Sequence, residues 1–413
     1  MIPDRKDAAS ARAKRCGIGA LALHIDGFAA FLFGAGYAAT TVHEKSALLA
    51  DLSHWLERHG LPLDALDEGQ FRRFHAYRRR RGKERRIEAT TGRQLLGYLR
   101  DLDCIPAVPQ KIDRTPLGDL TQDFERFLTL ERGLSAATLT NYLPIVRCFL
   151  IEHFGRKALR LDELRPVDVH RFILRHAEKG SRRTAQLMVS ALRSFLRFLQ
   201  QRGAIATDLA GAVPGIASWR LTHLPKSLAS EQVERLLARC DRSMATGRRD
   251  YAILLLLARL GLRAGEVVAM TLDDLDWDQG EILVRGKGQR QTRLPLPTDV
   301  GAALVGYLCQ VRPACSTRRV FIRMHAPLRG LAGPAAIDCV VRRALKRAGL
   351  NPEFKGAHLL RHSLATDLLR RGASLAEIGQ LLRHSLPTTT QIYAKVDIAA
   401  LRGIALPWPG DPS

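Results

Sequence analysis

Four short stretches in the last third of the chain carry side chains suited to one reaction. They are Gly261-Leu262-Arg263, Gly286-Lys287-Gly288, His358-Leu359-Leu360-Arg361-His362, and His384 followed by Tyr393. Guanidiniums match paired phosphate oxygens in geometry and charge, and an ammonium or imidazole can move protons. A phenol can serve as a nucleophile. This inventory suits metal-free attack by tyrosine on a DNA phosphate. Two other chemistries fit worse. The His-x-x-x-His spacing of 358 and 362 invites a zinc-protease reading, but Leu359 stands where that motif needs glutamate. Asp273, Asp274, Asp276 and Asp278 suggest a two-metal nuclease, yet they sit just before a hairpin and read more simply as loop-capping groups.

Gathering these groups around one phosphate requires particular elements. Ser230 is placed to cap a helix through Ala238, and Asp250 a buried helix through Leu260 that Gly261 ends. Arg263 then lies in a tight turn beside the core, with Glu266 or a phosphate as its partner. Glu281-Ile-Leu-Val-Arg285 and Gln291-Thr-Arg-Leu-Pro-Leu296 form a hairpin whose glycine-flanked tip carries Lys287 and leaves it free to swing. Pro295 has no N–H to donate, which sets the second strand at a sheet edge or near its own end. His358 and Arg361 share a helix face, while His362 is read as packing or satisfying a local hydrogen bond. Ser374-Leu-Ala-Glu377 is a capping box opening the helix that delivers His384. Thr388-Thr-Thr-Gln391 fits a second, setting Tyr393 early in a helix nine residues after His384.

Proline-rich connectors at 106–116 and 211–225 divide the remainder. The two segments before the second connector look like copies. Gly36-Tyr37-Ala38-Ala39-Thr40-Thr41 parallels Gly133-Leu134-Ser135-Ala136-Ala137-Thr138 at an offset of 97. Phe74 parallels Phe172 and Gly82 parallels Gly180 at 98, and Tyr98-Leu99 parallels Phe195-Leu196 at 97. Each copy reads as about four amphipathic helices, such as 185–200 with Leu187, Leu192, Phe195, Leu196 and Leu199 on one side. Basic runs fall at matched places: Arg78, Arg79, Arg80 and Arg81 with Lys83, Arg85 and Arg86, and Arg171, Arg175, Lys179, Arg182 and Arg183. Such runs are solvated faces by default, but two at matched places favour phosphate contact.

Composition agrees. The 413 residues hold 64 lysines and arginines against 41 acidic residues, a net charge of +23, which favours a polyanionic partner. That length implies two or three domains. A hydrophobic share of 46% argues against general disorder. The seven scattered cysteines never form Cys-x-x-Cys, so a disulfide framework or zinc site is not expected. His24 and Asp26 interrupt the apolar stretch at 16–36, and 251–258 is far shorter than the roughly 20 residues of a membrane span. The expectation is a soluble, cytoplasmic, nucleoid-associated protein. No phosphate-binding Gly-x-x-x-x-Gly-Lys-[Ser/Thr] loop is present.

Four motifs in this order closely resemble the tyrosine recombinase (phage integrase) family. They are Gly-Leu-Arg-x-x-Glu at 261–266, the hairpin Lys287, His-Leu-Leu-Arg-His-Ser-Leu-Ala-Thr at 358–366, and Arg-His-Ser-Leu-Pro-Thr-Thr-Thr-Gln-Ile-Tyr at 383–393. One departure is Arg383, where the family usually has glycine. The resemblance implies a mainly α, multidomain fold. A helical, SAM-like DNA-binding module (117–205) would precede a mixed α/β catalytic domain with a small antiparallel sheet (226–413), and the repeat argument alone makes 1–107 a tandem copy of that module. It implies a catalytic set of Arg263, Lys287, His358, Arg361, His384 and Tyr393, with His358 helping to take the tyrosine proton. No cofactor or metal is implied. Arg78, Arg79, Arg80, Arg81, Arg182, Arg183 and Arg383 are the expected DNA contacts. The implied activity is site-specific recombination of double-stranded DNA by an integrase or transposase of a mobile element. It would work as a homotetramer, with or without sister recombinases, and without a membrane.

Two rivals remain at this point. A type IB topoisomerase uses a similar residue set, but the helical module and the 32 residues from Arg361 to Tyr393 favour the recombinase. A catalytically idle DNA-binding protein would not need all six active-site residues. The tail after Tyr393, with Leu401, Ile404 and Trp408, is expected to dock on a neighbouring subunit or to pack in cis.

Overall fold

The structure is a computed structural model that describes residues 19–82, 87–108, 113–155, 158–178, 180–216, 226–286, 290–384 and 386–396. By their contacts the residues group into two compact units, 1–107 with 221–413, and 108–220. Lys287 and the tail bearing Leu401, Ile404 and Trp408 lie outside the described residues, as do Lys83, Arg85, Arg86 and Lys179.

In the first unit, the described residues up to 107 form four α-helices: α1 (Ile25–Gly34), α2 (Ala39–Arg58), α3 (Glu68–Arg80) and α4 (Glu88–Asp101). Leu48, Leu49, Leu52, Trp55 and Leu56 put one stripe of α2 into a core shared with Phe28, Leu32, Phe74, Leu95 and Leu99. Asp67 caps α3 by accepting the Gln70 N–H at 2.7 Å.

The basic run at the end of α3 divides here. Arg79, Arg80 and Arg81 are exposed, with Arg81 stacked 4.8 Å from the Tyr77 ring centroid. Arg78 was expected to contact DNA, but its side chain is buried, with Nε donating to Glu88 Oε1 at 2.9 Å and Nη1 paired with Asp51. The cause is helical phase. Position 78 repeats the phase of Phe71 and Phe74, both buried, so the arginine is carried inward.

The second unit also has four helices. These are α5 (Pro116–Arg126), extended by a π-turn at Phe127–Glu131, α6 (Ala136–Phe154), α7 (Pro166–Ala177) and α8 (Arg182–Gln201). Its core is aromatic, with Phe124 against Phe195 and Phe198 and Phe149 against Phe172, and α8 buries Met188, Val189, Leu192 and Leu196 on the same side. Both segments have the same element order, including a 3₁₀ turn between the second and third helices at Leu63–Ala65 and Leu161–Glu163. Where the first segment ties α2 to α3 through Asp51 and Arg78, the second ties α6 to α7 through Glu152. That carboxylate accepts from His176 at 2.6 Å and Arg175 at 3.1 Å. Cys148 joins it at 3.4 Å, and burial, with Glu152 beside it, pushes the thiol pKa up. Arg182 and Arg183 open α8 and are exposed.

Residues from 226 onward, in the first unit, build a larger core around a helix buried on most sides, α10. The elements are α9 (Ser230–Ala238), α10 (Ala245–Arg259), α11 (Ala264–Ala269), α12 (Thr298–Leu308), α13 (Pro334–Arg347), α14 (Ala357–Arg370) and α15 (Leu375–Leu381). The sheet runs β1 (Leu275–Asp276), β2 (Glu281–Arg285), β3 (Gln291–Pro295), all antiparallel, with Ile282 opposite Leu294. Pro295 does end an edge strand, and the two-residue β1 was too short to read from alternation.

Two helix starts differ from expectation. Gln232 rather than Ser230 caps α9, accepting the Ala229 N–H at 3.1 Å. Ser230 instead donates to Asp367 at 2.5 Å. Asp250 lies inside α10, buried and paired with Arg249 at 2.7 Å, because the helix begins five residues earlier at Ala245. The acidic run acts as loop capping. Asp274 accepts from Thr271 N–H and Arg285, and Asp276 from Gln279 N–H. Among the described residues no helix is long and apolar enough to cross a membrane.

Removing Arg78 leaves Glu88, 1% exposed, as a buried carboxylate short of its cation. Arg78→Met is expected to lower stability by about 3 kcal/mol, and Arg79→Ala by less than about 0.5. Urea unfolding of the two variants checks the difference, and equal losses would return Arg78 to the surface.

Candidate active site

The site begins where α10 stops. Gly261 adopts φ +57, and a Cβ there would lie 2.6 Å from Leu382 Cδ2, so both conformation and space require glycine. Leu262 is buried and Arg263 emerges half-buried at the start of α11. Glu266, one turn along, holds it twice. Arg263 N–H donates to Oε2 at 2.8 Å and Arg263 Nη1 to Oε1 at 2.7 Å. Burial alone would raise the Glu266 carboxyl, but the Arg263 N–H and the charges of Arg383 and Arg263 outweigh it and hold the pKa below its ordinary value.

Arg361 lies on α14, buried, and its two Nη atoms donate to the carbonyls of Gly261 and Leu382. Burial first, and then repulsion from Arg263 and Arg383, brings its pKa down to about 10, which leaves it charged at neutral pH. The turn after α15 therefore rests on this guanidinium. Arg383 sits in that turn at φ +55, a left-handed conformation that costs a non-glycine residue about 1 kcal/mol. Its carbonyl accepts from Arg263 Nη2 at 3.4 Å, and its own Nη2 donates to Glu266 Oε2 at 3.0 Å. The side chain is 9% exposed, so the expected surface contact with DNA is corrected: Arg383 is turned inward by the αL backbone and by Glu266.

His384 follows, with Nδ1 2.8 Å from the hydroxyl of buried Thr390. Burial, with Arg361 and Arg263 nearby, lowers its pKa to about 4. Tyr393 is the third residue of a 3₁₀ turn (Gln391–Val396), preceded by another at Pro387–Thr389, rather than part of an α-helix capped by Thr388. Its side chain is 1% exposed and packs with Ala365, Leu369, Ile378 and Leu382. The phenolic oxygen lies 2.8 Å from His362 Nδ1.

The ring on the phenol is thus His362, not the expected His358. One turn further along α14, position 362 faces the small core that holds Tyr393, and the two imidazole centroids are 6.3 Å apart. Burial, with His358 and Arg361 beside it, lowers the His362 pKa to about 4. The ring is neutral at pH 7. Burial raises the Tyr393 phenol to about 12, with Arg361 opposing the shift. At 1% exposure the phenol is closed off from groups outside the protein.

An open cavity of about 1350 Å³ leads to these groups, lined by Arg263, Glu266, Gly286, Arg290, Arg383 and His384 among others. The Gly286 N–H donates to the Arg290 carbonyl at 2.7 Å, closing the hairpin neck beneath the tip that carries Lys287. Thr390 and Glu266 complete the set. Glu266 was legible from its three-residue spacing to Arg263, whereas only tertiary contact reveals Thr390.

Clustered cations on an open cavity, with a tyrosine on the adjoining turn, suit phosphotransfer of the tyrosine-nucleophile class. The Phage integrase family profile matches residues 226–399, and the Phage integrase, N-terminal SAM-like domain matches residues 121–203. The chain is 43% identical to y4rA of Sinorhizobium fredii (strain NBRC 101917 / NGR234), named as an integrase/recombinase, over 95% of this chain and 96% of that protein. It is 32% identical to the tyrosine recombinase XerD of Listeria monocytogenes serotype 4b (strain F2365), over 70% of this chain and 97% of XerD. The fold is shared with the XerH site-specific recombinase bound to palindromic difH substrate. There the TM-score is 0.55 at 21% identity, covering 68% of this chain and 83% of that one. It is shared with the Tn1549 transposon integrase in complex with circular intermediate DNA as well, at a TM-score of 0.53 and 18% identity, over 69% and 99%. The chain belongs to the tyrosine recombinase (phage integrase) family and is a site-specific recombinase.

Two half-buried histidines held near pKa 4 make a pH signature. Below about pH 6.5 the unfolded imidazoles take up protons that the folded ones refuse, so stability falls as pH drops from about 6.5 to about 4. Unfolding midpoints measured across that window are expected to decline for the wild type and to decline less for His362→Asn. An unchanged slope in the variant would place His362 in contact with water.

Proposed function

We propose that Tyr393 attacks the scissile phosphate of a double-stranded recombination site. The new bond joins phenolic oxygen to phosphorus and the broken bond releases a 5′-hydroxyl, leaving a 3′-phosphotyrosine. Arg263 and Arg361 would grip the non-bridging oxygens, where charge must be stabilised in the transition state, and His384 would add a donor. Lys287 would protonate the departing 5′-oxygen. The phenolic proton passes to an imidazole on α14. His362 is in place for that in the resting site, and His358, one turn earlier, is the acceptor the family resemblance suggests. Because the phosphotyrosine conserves bond energy, the reverse attack by a 5′-hydroxyl rejoins the strand without a nucleotide.

The observation that carries this reading is the pairing of Tyr393 Oη with His362 at 2.8 Å, on the helix that also bears the buried Arg361. The named relatives support it, since the similar XerH is described bound to difH substrate and the Tn1549 integrase in complex with circular intermediate DNA. By the same likeness we assign this chain an integrase or transposase role as a DNA-associated cytoplasmic protein. It would assemble as a tetramer on two duplexes, alone or with sister recombinases. The three-part division at 1–107, 117–205 and 226–413 belongs to this proposal, with the first part a second DNA-binding module related to the next. The matching element order supports the kinship, and exposed Arg79, Arg80, Arg81, Arg182 and Arg183 would meet phosphates.

Nicked duplexes cut from the DNA flanking the protein's own coding sequence provide the test. Wild type is expected to form an adduct that survives SDS and EDTA, and Tyr393→Phe none. Arg263→Ala and Arg361→Ala should each slow adduct formation by roughly two to three decades. An adduct retained by Tyr393→Phe would overturn the assignment of the nucleophile. For the basic face, replacing Arg79, Arg80 and Arg81 together by alanine is expected to reduce the slope of log affinity against log salt by about 2–3. An unaltered slope would make that face an ordinary solvated one.

A further inference from the structure

Arg383 is the residue of the site that its own backbone disfavours. It and Asp103 are the non-glycine residues with positive φ among those described, and it alone of the two stands in the catalytic segment. Its Nε is buried with no hydrogen-bond partner among the described residues, a cost that packing alone does not explain. Three connections meet at this position. The guanidinium binds the Glu266 oxygen that also accepts the Arg263 N–H. The carbonyl of residue 383 accepts from Arg263, and that of residue 382, one peptide earlier, from Arg361. His384 is the next residue and takes its direction from the same turn.

We propose that Arg383 is a positioning residue for strand cleavage. Its guanidinium locks the turn at 382–384 onto Glu266, so that both phosphate-binding arginines and His384 are held in one rigid frame. It also divides the Glu266 charge. With a second cation on the carboxylate, Arg263 is held less exclusively by Glu266 and remains available to a phosphate. This rests on the reading of Arg263, Arg361 and His384 as the phosphate site. Arg383 touches protein rather than the reacting phosphate, which separates it from the arginines it serves.

The variants are Arg383→Gly, which relieves the backbone and removes the guanidinium, and Arg383→Lys, which keeps a cation. Adduct formation on the nicked duplex is expected to slow about tenfold or more in Arg383→Gly and to recover by at least about threefold in Arg383→Lys. The unfolding midpoint of the glycine variant should stay near wild type, since strain relief offsets the lost pair. In a Glu266→Gln background the same glycine substitution should cost less than about threefold, because the two side chains act through one contact. The salt dependence of DNA affinity should not change.

Other outcomes overturn the proposal. A rate for Arg383→Gly within about twofold of wild type would remove the positioning role. A salt slope lowered by about 1 would make Arg383 a direct phosphate contact. An equal loss with and without Glu266 would place its action elsewhere, and a rate loss that follows the unfolding midpoint without recovery in Arg383→Lys would leave only a structural role. Wild type alone decides the underlying reading. If it forms no adduct, the phosphate site itself is misassigned. If it does, and the variants match it, the inference about Arg383 fails alone.

Discussion

Several cations must share one small volume before any phosphate arrives, and the buried carboxylate of Glu266 is what permits it. Two guanidiniums about 5 Å apart repel by about 3 kcal/mol at an effective dielectric of 20. In a chain of net charge +23 the wider field gives no relief. Glu266 supplies the opposite charge at the start of α11, and its two oxygens serve Arg263 and Arg383 at 2.7 and 3.0 Å. Arg361 is treated differently. It has backbone carbonyls rather than a carboxylate for partners, and burial, with Arg263 and Arg383 nearby, brings its pKa down to about 10. A phosphate entering the cavity would bring the missing anion. The resting site is therefore poised for that ligand by its charge balance as well as by its shape.

Tyr393 is governed by the opposite logic. Burial raises its phenol to about 12 and closes it off from water. What holds it is slight. The 3₁₀ turn carrying Tyr393 is short, and its anchors are one hydrogen bond to His362 and an apolar set of Ala365, Leu369, Ile378 and Leu382. A segment attached in this way can be withdrawn without unfolding α14 or α15. The arginines, by contrast, sit on the end of a fully packed helix and on α14, where they cannot drift. The division of fixed cations from a movable phenol follows from where each is placed in the packing.

Much of this was legible before any coordinates. Glycine stops, the hairpin with Pro295 at its edge and the Ser374 capping box are local rules, and local rules survive folding. The Gly261 turn is an instance where the sequence signal and the steric demand coincide, since neither φ +57 nor the contact with Leu382 admits a Cβ. What escaped depended on phase or on distance. Arg78 looked like the first of four equivalent arginines, yet helical periodicity assigns it to the Phe71 and Phe74 face. His358 and His362 were both present in the motif, and only the position of Tyr393, 31 residues away, decides which ring meets the phenol. Asp250 resembled a cap because a polar residue preceding an apolar run usually is one. Arg249 beside it offered the alternative of a buried pair.

The two helical segments show the same physics applied twice with different residues. Each joins its second helix to its third through charged side chains. The first does so with Arg78 between Asp51 and Glu88, and the second with Glu152 between His176, Arg175 and Cys148. The sign of the central charge is reversed while the apolar partners, Phe74 and Phe172, are retained. An arrangement whose polar centre can invert while its core and element order persist is constrained by packing rather than by a bound ligand. Beside that centre Arg79, Arg80 and Arg81 stay exposed on the third helix of the first segment, as Arg171 does in the second.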